Sequence, residues 1–139
     1  MNAAVESRTF GVSTGELTAI DGWVEQVARR WGESERTVFR TRLCIAELAG
    51  NVIEHGGAPS GDDQIVVTML RLGDGIGVEF LDTRPPFDPT GEREPPQATS
   101  LETLRPGGLG LRLVHAYARD LSYRQEGDRN RVSLKIESA

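Results

Sequence analysis

A carboxylate and a carboxamide, Glu47 and Asn51, lie four residues apart in a segment that the hydrophobic pattern predicts to be helical. Residues at this spacing share one face of an α-helix. A carboxylate accepts a proton or orients a water, and an amide oxygen is a ligand for Mg²⁺, which takes one or two protein oxygens and completes its shell with phosphates and water. The same spacing also suits an ordinary solvent-exposed helix face, so the pair by itself leaves both interpretations open.

A second carboxylate, Asp82, follows a predicted strand and begins the proline-rich run Asp82-Thr83-Arg84-Pro85-Pro86-Phe87. An aspartate at a strand end can accept a hydrogen bond from an amine such as the adenine amino group. It can equally accept hydrogen bonds from the amides of its own turn, which is the commoner use of aspartate in such a sequence.

A glycine-rich run, Gly107-Gly108-Leu109-Gly110, opens a predicted helix and has Arg105 and Arg112 on either side. Glycine lets the backbone approach a ligand closely, and the free N–H groups at a helix N-terminus attract phosphate. The run is not a P-loop, since no Gly-Lys-Ser/Thr follows, and not a dinucleotide-binding fingerprint, since no strand directly precedes it. A flexible turn at a helix start is the alternative interpretation.

Hydrophobic periodicity predicts the elements that position these residues. The first half has a strand over 7–12, a helix from 13–14 to about 31 that ends at Gly32, and a helix capped by Ser34 that runs to about 55. A hairpin of strands 64–72 and 76–81 follows. The last elements are a helix over 111–119 and a closing hairpin of strands 121–125 and 131–136. A long proline-rich loop covers 82–106. The predicted fold class is α+β, a two-layer sandwich with the helices on one face of a mostly antiparallel mixed sheet.

Composition limits the function classes. The chain has 139 residues, enough for one domain over 1–139, and its net charge of −5 argues against direct nucleic-acid binding. No apolar run approaches the length of about 18 residues that a membrane span needs. Cys44 is the only cysteine, which excludes an internal disulfide and cysteine-rich zinc sites. With no basic–apolar leader at the N-terminus, we expect a cytoplasmic protein without membrane contact.

In their order along the chain, the three segments resemble the N, G1 and G2 boxes of the GHKL ATPase superfamily, whose fold is the Bergerat sandwich. Within it, the chain is most similar to the anti-sigma factor serine/threonine kinases, also called RsbW/SpoIIAB-like or HATPase_c_2 domains. The resemblance extends from the helix before Glu47 to the segment 130–134.

The resemblance implies a role for each matching residue. Glu47 is implied as the general base, Asn51 as the ligand of Mg²⁺ and Asp82 as the acceptor of the adenine amino group. The segment 90–106 is implied as the ATP lid. The other residues implied in ATP binding are Arg84, Phe87, Arg105, Gly107, Gly108, Leu109, Gly110 and Leu111.

The resemblance also implies partners. Family members act with ATP and Mg²⁺ on a serine or threonine of a STAS-domain anti-anti-sigma factor, and they sequester an alternative sigma factor, usually as homodimers. The chain departs from the family at Arg84, where the G1 box has a glycine. An arginine there would fill the space beside the adenine, reach toward the phosphates or pair with an acidic partner.

This departure leaves two functions open. One is an active protein-serine kinase and anti-sigma factor, which we favour because the helix with Glu47 and Asn51 is intact. The other is a partner-switching module that sequesters a regulator with weak or lost catalysis. A third interpretation, the isolated ATPase domain of a histidine kinase, is less favoured because no phosphoacceptor helix is present in the sequence.

Two further features of the first helix have alternative interpretations. Trp23 and Trp31 lie eight residues apart, which fits core packing or a partner surface. Arg29 and Arg30 fit either solvated charge or contact with an acidic partner.

Overall fold

The computed structural model describes residues 4–54, 60–86, 88–90 and 106–139, without the side chains of 106–110. Within these ranges the elements are, in chain order, β1 Val5–Gly11, α1 Glu16–Arg30, α2 Glu35–Glu54, β2 Gln64–Leu72, β3 Gly75–Asp82, α3 Pro106–Tyr117, β4 Arg119–Glu126 and β5 Arg129–Glu137. No helix in these ranges combines the length and apolar content that a membrane crossing requires.

The five strands form one sheet in the order β1-β2-β3-β5-β4, with the last strand of the chain inserted beside β3. All four neighbouring pairs are antiparallel, so the described sheet contains no parallel pair. The predicted α+β sandwich and its element order are confirmed.

The core lies between the helices and one face of this sheet. Side chains alternate between the two faces of a strand, so residues two apart, such as Val78 and Phe80, point into the same layer. The strand side of the core comprises Phe10, Ile65, Val67, Met69, Ile76, Val78, Phe80, Val132, Leu134 and Ile136. Helices α1 and α2 cover it with apolar stripes that include Ile20, Val24, Val27, Val38, Ile45 and Leu48. This packing fixes α2 above the ends of β3 and β5.

The third helix differs most from its prediction, since α3 begins at Pro106 rather than Leu111 and ends at Tyr117 before Arg119. Proline is tolerated in the first turn because an N–H there has no partner within the helix, and its fixed φ suits helical geometry. The glycines 107, 108 and 110 therefore belong to the start of the helix itself instead of a turn before it.

The alternatives for the first helix are decided by contacts. Trp31 is buried, and the ring of Trp23 packs edge-on against Phe10 at a centroid distance of 5.9 Å. Arg29 pairs with two glutamates of its own chain, and Arg30 pairs with Glu6 at 2.8 Å. Trp31 therefore belongs to the core, the half-buried Trp23 packs against it, and both arginines have partners within the chain.

Candidate functional site

A partly open pocket, about 370 Å³ when the space open to solvent is included, lies where the last two turns of α2 cross the ends of β3 and β5. It brings together three residues that the sequence predicts for the site, Asn51, Asp82 and Arg84. The other lining residues are Leu48, Val52, Phe80, Pro85, Pro89, Asn130 and Val132. The pocket thus combines an apolar wall with polar groups from both layers of the sandwich, which is the usual composition of a small-molecule site.

Asn51 lies in the last turn of α2, and only 4% of its surface is exposed. Its Nδ2 is buried and has no hydrogen-bond partner among the described residues. A buried amide without a partner costs about 1–3 kcal/mol. The carboxamide lines the pocket, so a polar ligand there would remove that cost.

Asp82 is the last residue of β3 and is also buried. Its Oδ1 accepts hydrogen bonds from the backbone N–H of Arg84 and from Nδ2 of Asn130, both at 2.9 Å. Its Oδ2 accepts none from the part of the chain described. Burial raises the pKa of Asp82, and the two hydrogen bonds oppose this increase because they stabilise the ionised form.

Asn130 and Tyr123 belong to the site although the sequence analysis does not single them out. Besides its bond to Asp82, Asn130 Nδ2 donates to the carbonyl oxygen of Arg84 at 2.7 Å. The hydroxyl of Tyr123 donates to Asn130 Oδ1 at 2.6 Å. Only the register of β3 against β5, which pairs Asp82 with Asn130, reveals this network.

Arg84 turns its side chain into the protein, where only 3% of it is exposed. Nη1 pairs with Oδ2 of Asp63 at 3.2 Å, and Nε donates to the carbonyl oxygen of Val52 at 3.3 Å. The sequence leaves three roles open for Arg84: filling the space beside the adenine, reaching the phosphates or pairing with an acidic partner. In the structure Arg84 pairs with an acidic residue, Asp63, of its own chain. The arginine forms part of the pocket wall and joins the end of α2 to the residues before β2.

Other hydrogen bonds hold the Asp63 carboxylate that pairs with this guanidinium. Its carboxylate also accepts hydrogen bonds from the backbone N–H of Ser60 at 2.9 Å and from the hydroxyl of Thr83 at 3.0 Å. The bond from Ser60 is the largest cause of a lowered pKa for Asp63, followed by those from Thr83 and Arg84. Asp63 is therefore ionised at neutral pH.

Glu47 lies one turn before Asn51 on α2, and its side chain is half-buried outside the lining of the pocket. Burial raises the pKa of Glu47, and the negative charge of Glu54 raises it further. A carboxylate with a raised pKa is a better proton acceptor. On the core side of the same helix, burial raises the pKa of the Cys44 thiol to about 12, so this cysteine is an inert buried residue.

Helix α3 lies beside α2, with Leu111 buried directly after the glycine-rich turn. Further along α3, Nε2 of His115 bonds the carbonyl oxygen of Pro89 at 2.9 Å, and this nitrogen is the donor because a carbonyl only accepts. Residues 88–90, which lead into the predicted lid 90–106, are thereby attached to α3 through Pro89. Phe87, Arg105 and the lid segment 91–105 lie outside the described residues, as do the side chains of 106–110.

Comparisons with known proteins agree with this arrangement. A family model described as a histidine kinase-like ATPase domain, HATPase_c_2, matches residues 12–136. The chain is 32% identical over 133 residues to the serine/threonine-protein kinase BtrW of Bordetella bronchiseptica, and the match covers 94% of both proteins. Its fold resembles a solved structure of the RsbU and RsbW domains of Rv1364c from Mycobacterium tuberculosis, with a TM-score of 0.69 at 14% identity. That match covers 98% of this chain and 33% of the longer one, and it concerns the fold alone.

Proposed function

The chain belongs to the histidine kinase-like ATPase family, in the GHKL group with RsbW-like serine/threonine kinases, and on this premise we propose that it is an anti-sigma factor kinase. It binds Mg-ATP and phosphorylates a serine or threonine of a STAS-domain anti-anti-sigma factor. The observation that carries the proposal is the pocket in which Nδ2 of the buried Asn51 has no partner among the described residues and lies in one lining with the buried Asp82, whose hydrogen bonds from Arg84 and Asn130 both go to Oδ1. The kinase relative at 32% identity supports the reaction class.

The residues of the pocket fit a nucleotide with a divalent cation. Asp82 offers Oδ2 to the 6-amino group of adenine, and the apolar wall that includes Phe80 and Val132 offers a flat base apolar contact. Asn51 offers its amide oxygen to Mg²⁺ and its Nδ2 to a phosphate oxygen. The free backbone N–H groups of the first turn of α3 add donors for phosphate.

In the proposed reaction, the hydroxyl oxygen of the partner's serine or threonine forms a bond to the γ-phosphorus. The bond from that phosphorus to the bridging oxygen breaks, and ADP leaves with its electron pair. Glu47 accepts the proton of the hydroxyl, for which its raised pKa suits it. When bound, Mg²⁺ neutralises phosphate charge, and the remaining contribution of the protein is positioning.

The regulatory part of the proposal rests on family membership. The chain sequesters an alternative sigma factor as a homodimer in the cytoplasm, and phosphorylation of the antagonist decides which partner it holds. These partners are proteins, in agreement with a chain whose net charge is −5.

Calorimetric titration with Mg-ADP and Mg-ATP tests nucleotide binding. We expect binding to the unaltered chain and loss of binding in Asn51→Ala. Gln26→Ala removes an exposed carboxamide on α1 and serves as the matched control, which keeps full affinity. An unaltered chain that binds neither nucleotide would overturn the proposal.

Phosphotransfer tests the kinase step. The chain is incubated with Mg-ATP and purified STAS-domain proteins of the same organism, and phosphoserine or phosphothreonine is detected by mass spectrometry. Glu47→Gln should abolish transfer, whereas Glu54→Gln, an exposed carboxylate two turns along the same helix, should retain it at a pH where both carboxyls are ionised. Nucleotide binding without any transfer would support the alternative function, a partner-binding module without catalysis.

A further inference from the structure

We propose that Asn130, oriented by Tyr123, is a positioning residue that holds the Asp82 carboxylate so that the pocket selects a 6-aminopurine over a 6-oxopurine. The inference rests on the proposed function, since it concerns the base of the nucleotide. It adds two residues of the closing hairpin to the determinants of ligand choice.

The strand register brings the two side chains together. Asp82 and Asn130 are direct cross-strand partners although they lie 48 residues apart. Both follow the inward alternation of Phe80 and Val132, and both are buried, with 5% and 3% of their surfaces exposed. Directly opposite residues on one face are the closest side-chain neighbours in a sheet. The amide of Asn130 therefore meets the Asp82 carboxylate without contribution from a loop.

Tyr123 fixes which end of the Asn130 amide faces Asp82. Its hydroxyl donates to Oδ1 of Asn130, so Nδ2 is directed at its two nearer acceptors, Oδ1 of Asp82 and the carbonyl oxygen of Arg84, with the carbonyl oxygen of Pro85 farther away at 3.5 Å. A flipped amide would place Oδ1 against both of those oxygens. Burial raises the pKa of Tyr123, so its hydroxyl remains protonated and continues to donate at neutral pH.

Asn130 acts through Asp82 rather than on the base. Both protons of Nδ2 and the carbonyl oxygen of the amide already have partners within the protein. Asn130 Nδ2 also donates to the carbonyl oxygen of Arg84, and the backbone N–H of Arg84 donates to Oδ1 of Asp82. One carboxylate oxygen thus receives two donors, and the other is left as an acceptor at the pocket.

A fixed acceptor discriminates between purines. The 6-amino group of adenine donates to Oδ2, whereas a 6-oxo group would place an oxygen against it with no proton between. A site built around a buried hydrogen bond discriminates strongly only while its polar group cannot turn away. Without the Asn130 amide, the carboxylate would lose one of the two donors that prevent its rotation.

Calorimetry with Mg-ADP and with Mg-IDP, which carries a 6-oxo group in place of the 6-amino group, tests this role. We expect the unaltered chain to prefer ADP. In Asn130→Ala the ratio of the two Kd values should fall by about tenfold or more, because affinity for ADP decreases while affinity for IDP changes little. Tyr123→Phe, which removes only the hydroxyl, should lower the ratio in the same direction by a smaller factor.

The matched control is Tyr117→Phe, because this tyrosine stacks on Arg40 at 4.9 Å and does not line the pocket. It should leave the ratio unchanged. A lower thermal midpoint with an unchanged ratio in Asn130→Ala and Tyr123→Phe would mean that the pair only supports the fold, and would overturn this inference alone. If Asn130→Ala does not fold, the ratio of the two Kd values in Tyr123→Phe tests the inference: a lower ratio supports it, and an unchanged ratio overturns it. An unaltered chain that binds neither diphosphate would overturn the proposed function as well.

Discussion

Glu47 and Glu54 lie on the same helix seven residues apart, close enough for the charge of one to affect the other. Burial is the larger cause of the raised pKa of Glu47, and Glu54 is the second. If Glu47 is the base, the reaction needs its ionised form. The rate therefore falls as pH decreases through this raised pKa.

Glu54→Gln removes the second cause and should lower the pKa of Glu47. We expect the acid limb of the profile of kcat/KM against pH to move to lower pH, with the plateau at higher pH unchanged. Glu16→Gln, which removes a carboxylate on α1 with no resolved interaction with Glu47, is the control. An acid limb that stays in place would show that another group limits the reaction.

At the scale of elements, Arg84 joins three parts of the sandwich. Its guanidinium reaches Asp63 before β2 and the carbonyl of Val52 at the end of α2, while its backbone follows β3. Removing the partner of a buried charge is more costly than removing a solvated carboxylate.

Asp63→Asn should therefore destabilise the fold more than Asp62→Asn, which alters the exposed neighbouring aspartate. The pKa of Asp63 is lowered in the fold, so its contribution is present above its unfolded pKa and is lost as pH falls through the lowered value. Urea unfolding at neutral pH should separate the two variants, and at acid pH Asp63→Asn should converge with the unaltered chain. Equal unfolding midpoints of the two variants at neutral pH would contradict this account.

Local features of the elements could be predicted from the sequence. The strand β2 has the predicted bounds, Gly32 ends α1 with φ of +78°, and Ser34 caps α2 through its hydroxyl to the N–H of Thr37 at 3.2 Å. These features depend on residues within a few positions of each other.

The remaining contacts of the site join residues that are distant in the sequence. Their place in motifs identifies Asn51 and Asp82, but nothing local to Asn130 indicates that it lies opposite Asp82. Likewise, the direction of the Arg84 side chain depends on the positions of Asp63 and of the end of α2, which the sequence around Arg84 does not indicate. The periodic patterns in the sequence predict helices and strands, but they do not predict which distant residues pair across strands or which way a buried side chain points.

At the scale of the whole molecule, the pocket takes its walls from both layers, α2 on one side and β3 with β5 on the other. A ligand bound between them is lost when the layers separate. Binding should therefore stabilise the entire fold and not one segment.

We expect Mg-ADP at a concentration of 100 times its Kd to raise the free energy of unfolding by about 2.7 kcal/mol. Urea titrations at increasing Mg-ADP measure this gain, and Asn51→Ala should show little of it at the same concentrations. A constant midpoint despite calorimetric binding would mean that the ligand also binds the unfolded chain.

The insertion of β5 beside β3 also has a consequence for biosynthesis. Asp82 emerges from the ribosome well before Asn130, the residue 48 positions later that pairs with it. The β2–β3 hairpin joins strands that are adjacent in the chain, but the two sides of the base pocket join only when β5 docks. Competence to bind nucleotide is therefore acquired only after β5 has been synthesised and has docked, and a chain that stalls before β5 contains Asp82 without the strand that pairs with it.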